Sequence, residues 1–323
     1  MILDTTKRTP SAALPIPSLD QTISRYLERI QPLLSEEKYA AGKTVAENFL
    51  KNSGALLHSQ LLEYGASLEE GSWLKPIWDE AFLGYREPIN GTMNYSTVLD
   101  TEQIPKGNSF AEFCARLVFA MVNTHQEIAS GAQEKDIGPS GHLCMEQYDN
   151  VFGACRIPRP EKDEFFSGGG RLKDASVVVL HGGNIYLLPV VKDNKTVGVS
   201  SLALGIGEIL GRKDSPAPNI GIMTTAPRES AAKLRNHITA LDARNEENFK
   251  KIESALFALC IDGEPQKERT EHKLIRDVLH GNGKDRWFDK SMQAIVGADY
   301  SIGFNNEHTG FDGAIWINIQ WNT

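Results

Sequence analysis

The spacing of apolar residues divides the chain into a helical first quarter and a mixed remainder. Pro10, Pro15 and Pro17 keep the first stretch extended. Ser18-Leu19-Asp20 then opens a helix with Ile23, Tyr26, Leu27 and Ile30 on one face. A second amphipathic pattern runs from about Ser35 to Tyr64, with Val45, Phe49, Leu56, Leu57, Leu61 and Leu62 as its apolar positions. Residues 1–75 therefore read as a helical arm and residues 76–323 as a separate domain. The change falls where Trp73 to Asn94 becomes richer in aromatic and turn-forming residues.

Beyond that boundary the periodicity alternates. Phe110 to Gln133 predicts a buried helix. Two apolar runs, from Ser176 to Leu180 and from Ile185 to Leu188, flank Gly182-Gly183-Asn184 and predict a β-hairpin. Ile220 to Met223 reads as a short strand, with Pro227 in the first turn of a following helix. Asn245 to Ile261 reads as one helix burying Phe249, Ile252, Leu256 and Leu259. Gln293 to Val296 and Ser301 to Phe304 read as strands, and Ser167-Gly168-Gly169-Gly170 as an exposed loop. Helices alternate with strands without a βαβ rhythm. The predicted class is α/β of mixed type: a mixed β-sheet covered by helices.

Composition narrows the function. With 323 residues, 41% hydrophobic and 24% charged, the chain can bury a large core. Its net charge of -8, with no basic run, argues against a nucleic-acid partner. No apolar stretch is long enough to span a bilayer. Cys114, Cys144, Cys155 and Cys260 lack metal-ligand spacing and read as free thiols in a reducing compartment, so no metal is expected. The residues from Met1 to Pro17 lack a signal-peptide core, which points to an intracellular, cytoplasmic setting with mitochondria or peroxisomes left open.

One segment stands out chemically. Asn306-Glu307-His308-Thr309-Gly310-Phe311-Asp312-Gly313 follows two predicted strands, where a sheet can hold a loop residue in place. Histidine suits proton transfer near neutral pH, and Asp312 lies within reach to fix its tautomer or hold the loop. Gly310 and Gly313 allow close approach and unusual backbone angles. No nucleophilic Ser or Cys lies in the segment, so the pattern suggests a base acting directly on a substrate. On the residues alone, a structural loop histidine is an equal alternative. Gly205-Ile206-Gly207-Glu208-Ile209-Leu210-Gly211 has GxGxxxG spacing and no preceding strand, and reads as part of an ordinary helix.

His308-x-x-x-Asp312-Gly313 resembles the HxxxDG signature of the CoA-dependent acyltransferases related to chloramphenicol acetyltransferase. Further blocks resemble the carnitine/choline acyltransferases in particular. They are Leu14-Pro15-Ile16-Pro17-Ser18-Leu19, Tyr85-Arg86-Glu87-Pro88 with Asn94-Tyr95 behind, and Leu143-Cys144-Met145-Glu146-Gln147-Tyr148 with Phe152 and Cys155-Arg156-Ile157-Pro158. Ile222-Met223-Thr224-Thr225-Ala226-Pro227-Arg228 and Arg286-Trp287-Phe288-Asp289-Lys290-Ser291-Met292-Gln293 complete the series, in the family's order. The resemblance implies one half of that family's two-domain fold, with His308 as general base. The base would deprotonate the hydroxyl of carnitine or choline, or the thiol of CoA in reverse, and the activated group would attack the thioester without an acyl-enzyme. Acyl-CoA would be a substrate, and no covalently bound cofactor is implied. Asp312 would either orient the imidazole or anchor the loop through an arginine, while Phe82, Tyr85 and Gly313 would line the substrate pocket.

Two departures matter. Phe82-Leu83 stands where the family has Tyr-Leu, removing a phenol that can face the acceptor. Family members are also about twice as long, so the C-terminal half, with its CoA-contacting lysines and its wall of the tunnel, is expected to be a partner absent from this chain. The helical arm, which packs largely on that half in the family, would then present an apolar face without its partner. The chain alone would be inactive or nearly so. Two alternatives remain: transfer from a carrier-protein thioester to a polyol or other alcohol, and a non-catalytic remnant that binds a partner.

Overall fold

The computed structural model describes residues 14–68, 72–138, 141–168, 173–215, 217–263, 270–281 and 283–322. Residues 1–13 of the expected arm, and Gly169 and Gly170 of the expected exposed loop, lie outside the described residues. Contacts divide the chain into two units, Met1–Trp78 and Asp79–Thr323.

The first unit is helical. Helix α1 (Leu19–Ile30) is capped by Ser18, whose hydroxyl accepts the Gln21 N–H, and α2 (Glu36–Phe49) is capped in the same way by Ser35. A π-helical turn (Leu50–Gly54) carries α2 into α3 (Ala55–Ser67). The pattern from Ser35 to Tyr64 is therefore helical, with a π-helical turn joining two α-helical stretches. Val45 is 69% exposed and Leu56 63%, and Leu57 and Leu62 are exposed as well. Leu61 of the same pattern is half-buried.

Helix α4 (Lys75–Leu83) crosses into the second unit, and β1 (Tyr95–Val98) and α5 (Phe110–Ser130) follow. Four short strands come next: β2 (Ile137–Gly138), β3 (Gly141–His142), β4 (Ala154–Ile157) and β5 (Glu164–Ser167). The hairpin is formed by β6 (Ala175–His181) and β7 (Asn184–Lys192) around Gly182 and Gly183, both at positive φ, and it continues into β8 (Lys195–Thr196). Helices α6 (Val199–Gly211), α7 (Arg228–Leu241) and α8 (Arg244–Ser254) precede β9 (Ala258–Ile261). Helix α9 (Glu271–Leu279), β10 (Met292–Val296), β11 (Ile302–Asn306) and α10 (Gly313–Asn322) complete the unit.

Among the described residues, seven strands form a mixed sheet in the order β1-β11-β10-β9-β6-β7-β8, with β9 parallel to β6 and β10. Alternation along the strands splits the core. Val177, Val179, Ala294 and Phe304 pack with α5, α6 and α10, while Val178, Leu180, Cys260 and Ile295 pack with Phe249 and Ile252 of α8 and Val278 of α9. The mixed sheet covered by helices agrees with the predicted class. Cys114, Cys155 and Cys260 are buried free thiols, whereas Cys144 is exposed.

Two local expectations fail. Asn245 to Ile261 is not one helix: α8 ends at Ser254, and Ala258–Ile261 is strand β9, fully buried between β6 and β10. A central strand covered on both faces carries an unbroken apolar run, which periodicity cannot separate from a buried helix. Ile220 to Met223 is a 3-10 helix (Ile220–Thr225) instead of a strand. Thr224 donates its hydroxyl to the Gly221 carbonyl at 2.7 Å within this turn. Gly211 ends α6, so the GxGxxxG run lies in an ordinary helix.

Candidate active site

Strand β11 runs between β1 and β10, and the chain leaves it at Asn306 to form a loop that ends where α10 begins. His308 stands on this loop with its side chain 24% exposed. Tyr95 meets the imidazole edge-on at 4.8 Å between ring centroids, and Phe82 lies at 5.5 Å. The nearest Asp312 oxygen is 3.8 Å from His308 Nε2, an ion-pair distance when the ring is protonated and too long for a hydrogen bond.

The loop is fastened on both sides. Glu307, fully buried, donates its N–H to the Ser291 carbonyl at 3.1 Å. Its carboxylate accepts the Thr309 N–H at 3.1 Å, the Thr309 hydroxyl at 2.6 Å and Arg156 Nη1 at 3.4 Å. Arg156 also donates to Asp163 at 2.6 Å, and Asp163 receives Arg228 at 2.6 Å, which in turn reaches Asp289 at 2.7 Å. Burial pushes the Asp289 carboxyl above its ordinary range against the pull of Arg228, and lowers Arg228 less than the carboxylates of Asp289 and Asp163 raise it. Charges this deep persist only because each is paired.

On the other side, Gln147 Oε1 accepts the Asp312 N–H at 2.9 Å and Asn150 donates to the Gly310 carbonyl at 3.0 Å. A Cβ at Gly310 would strike the Phe165 ring and lie 3.0 Å from Asn150 Cβ, so close approach explains the glycine. Neighbouring groups tie this frame to the core. Phe288 N–H donates to Thr224 at 3.0 Å, Ser291 to the Val151 carbonyl at 2.8 Å, and Lys290 to the Glu253 carbonyl at 2.6 Å. The blocks around Gln147, Arg156, Thr224–Arg228 and Arg286–Gln293, distant in sequence, thus converge on the loop that carries His308.

The expected site residues are distributed unevenly. Asp312 is exposed and makes a helix start: its Oδ1 accepts the Gly313 N–H at 2.6 Å and its carbonyl the Ile315 N–H at 3.1 Å. The arginine anchor reaches the loop at Glu307. Gly313 opens α10 without positive φ, and an added Cβ would meet only Tyr95, at 4.0 Å. The expectation of an unusual backbone angle there is therefore not met. Tyr85 joins the frame through its backbone, its carbonyl accepting Arg156 Nη2 at 3.1 Å, and the residue lines a hollow with Glu87, Pro88 and His280. The phenol against His308 is instead Tyr95, which periodicity and spacing did not single out. Its position opening a strand that pairs with β11, with Tyr95 opposite Asn306, is visible only once the sheet is assembled.

The carnitine O-palmitoyltransferase 2 of Xenopus tropicalis is 29% identical over 341 residues, covering 95% of this chain and 51% of that protein. The human carnitine O-palmitoyltransferase 2 is 28% identical over 336 residues, and the carnitine O-acetyltransferase of Columba livia 28% over 312; each alignment covers 93% of this chain and 50% of the relative. The chain spans about half the length of the curated relatives it matches. A chloramphenicol acetyltransferase structure aligns over 77% of this chain and 93% of its own at 10% identity, with a TM-score of 0.34, too loose a match to argue from. The family described as Choline/Carnitine O-acyltransferase matches residues 14–322. With its loop, its anchors and this match in hand, the chain belongs to the choline/carnitine O-acyltransferase family.

Proposed function

We propose that this chain carries the proton-accepting half of a carnitine-type O-acyltransferase, with His308 as its general base. The observation that carries the reading is His308 itself: a partly exposed imidazole on a loop held by buried bonds at Glu307 and by further bonds from Asn150 and Gln147 at its other end. In the forward direction one imidazole nitrogen takes the proton of the acceptor hydroxyl as the oxygen attacks the thioester carbonyl. The carbon–sulfur bond then breaks, and the departing thiolate of CoA recovers the proton from the imidazolium. No acyl-enzyme forms, and CoA enters and leaves as substrate. Asp312 supports the loop as a helix start, its Oδ1 accepting the Gly313 N–H and its carbonyl the Ile315 N–H.

A base supplies ~10²–10⁴-fold of rate, while positioning two substrates and stabilising the oxyanion supply much of the rest. Those groups belong to the other half of the family's tunnel, so the 323-residue chain by itself is inactive or nearly so. The uncovered apolar residues of α2 and α3 agree with an arm made to pack on that half. Steady-state assay of the full-length gene product that contains this chain tests the base. His308→Ala should lower kcat by ~10²–10⁴, and unchanged turnover refutes the role. Robust transfer by the isolated chain refutes the need for a second half.

Phe82 supports a second reading of the acceptor. Its ring flanks His308 where a phenol would otherwise stand. In this reading an acyl group moves, from CoA or a carrier-protein thioester, to an alcohol other than carnitine. Assay with carnitine, choline and glycerol separates the two.

A further inference from the structure

We propose that Tyr95 is a substrate-binding residue of the His308 site, donating its phenol hydrogen to a neutral oxygen of the acceptor alcohol. The inference rests on the acyl-transfer reading above and adds a residue to it. Tyr95 opens β1 and stands directly across from Asn306, two residues before His308. Its ring lies edge-on to the imidazole at 4.8 Å and to Phe311 at 6.4 Å. Its hydroxyl oxygen is buried, yet it has no hydrogen-bond partner among the described residues.

Buried phenols ordinarily find one. Tyr148 in this same unit donates to Asp136 at 2.6 Å. The Asn306 carboxamide, fully buried, likewise leaves both its nitrogen and its oxygen unanswered among the described residues. Cross-strand partners share a face of the sheet, so these unanswered polar atoms gather on one side of the strand pair beside the loop. Burial, and then the Asp312 and Glu307 carboxylates, hold the Tyr95 phenol protonated, which makes it a donor at neutral pH. Phe82, on another side of the imidazole, has no hydroxyl to offer. The phenol next to the base is therefore supplied from β1, and a lone pair on the acceptor completes it. The surrounding carboxylates favour an uncharged oxygen over an anionic one.

The test uses Tyr95→Phe and Tyr95→Leu in the full-length gene product, with acetyl-CoA and longer acyl-CoAs as donors and carnitine, choline and glycerol as acceptors. One lost hydrogen bond to the acceptor should raise the acceptor KM by about tenfold in Tyr95→Phe while the acyl-CoA KM stays within about twofold. Thermal unfolding of Tyr95→Phe should give an unchanged or higher Tm, since no intramolecular bond is lost, whereas Tyr95→Leu should lower it through lost ring packing. An acceptor KM within twofold of wild type overturns the proposal, and so does a Tyr95→Phe Tm lower by more than about 2 °C, because a structural bond then occupied the hydroxyl. Transfer that survives His308→Ala, or no transfer by wild type on any acceptor, counts against the acyl-transfer reading instead, and the unfolding comparison then decides Tyr95 on its own.

Discussion

Asp312 illustrates how a residue can sit at the right spacing for one task while its geometry favours another. Its carboxylate is 3.8 Å from the imidazole but 2.6 Å from the Gly313 N–H, in the position of a helix-starting acid. Asparagine can accept the same N–H. Asp312→Asn should therefore keep its Tm and lose less than about tenfold in kcat, whereas Asp312→Ala should lose about 1 kcal/mol of stability. A thousandfold loss of kcat in Asp312→Asn at unchanged Tm would instead assign it to the imidazole. The His–Asp pair was legible in the sequence because both lie within five residues. Tyr95 was not, because its place beside His308 depends on strand register across more than two hundred residues.

Among the elements, the His308 loop leaves little room for change, since Gly310 lies against Phe165 and Asn150. Gly310→Ala should cost ~1–3 kcal/mol by overpacking and lower activity with it. Denaturant unfolding of the variant checks this, and a cost below measurement error would mean that the loop yields easily. Helix α5 carries a second marker. Its His125 is buried against Phe152, and burial lowers its pKa from 6.5 to about 4. The unfolded chain takes up that proton near pH 6.5 while the folded one refuses it until about 4. Stability should thus fall as pH drops through that window, and His125→Phe should flatten the decline in pH-dependent Tm measurements. The hairpin and α5 follow from local patterns and turn chemistry, whereas Ile315, Trp316, Ile317 and Ile319 look strand-like by composition and yet lie in helix α10. The failure over 245–261 has a physical cause: an apolar run has no period, so only the sheet decides that residues 258–261 extend.

Across the second unit, buried ion pairs connect sequence blocks far apart in the chain to the loop that carries His308. Arg156 is the junction, holding Asp163 and Glu307 and bonded to the Tyr85 carbonyl. Arg156→Met should cost ~3–5 kcal/mol, a Tm loss of roughly 6–20 °C for a unit of this size, and displace His308 with it. The exposed Arg244→Met should leave Tm unchanged, and equal effects of the two variants would refute the special role of the network. No described helix is long and apolar enough to cross a membrane. By itself the sequence determined the family and the class of fold and singled out His308 as the candidate base, because these rest on local order: apolar periods, turn residues and motifs read along the chain. Only the tertiary structure decided that Glu307 receives the arginine and that Tyr95 faces the imidazole. These are relations between distant residues, set by strand register and by the need to pair every buried charge, and no local pattern encodes them.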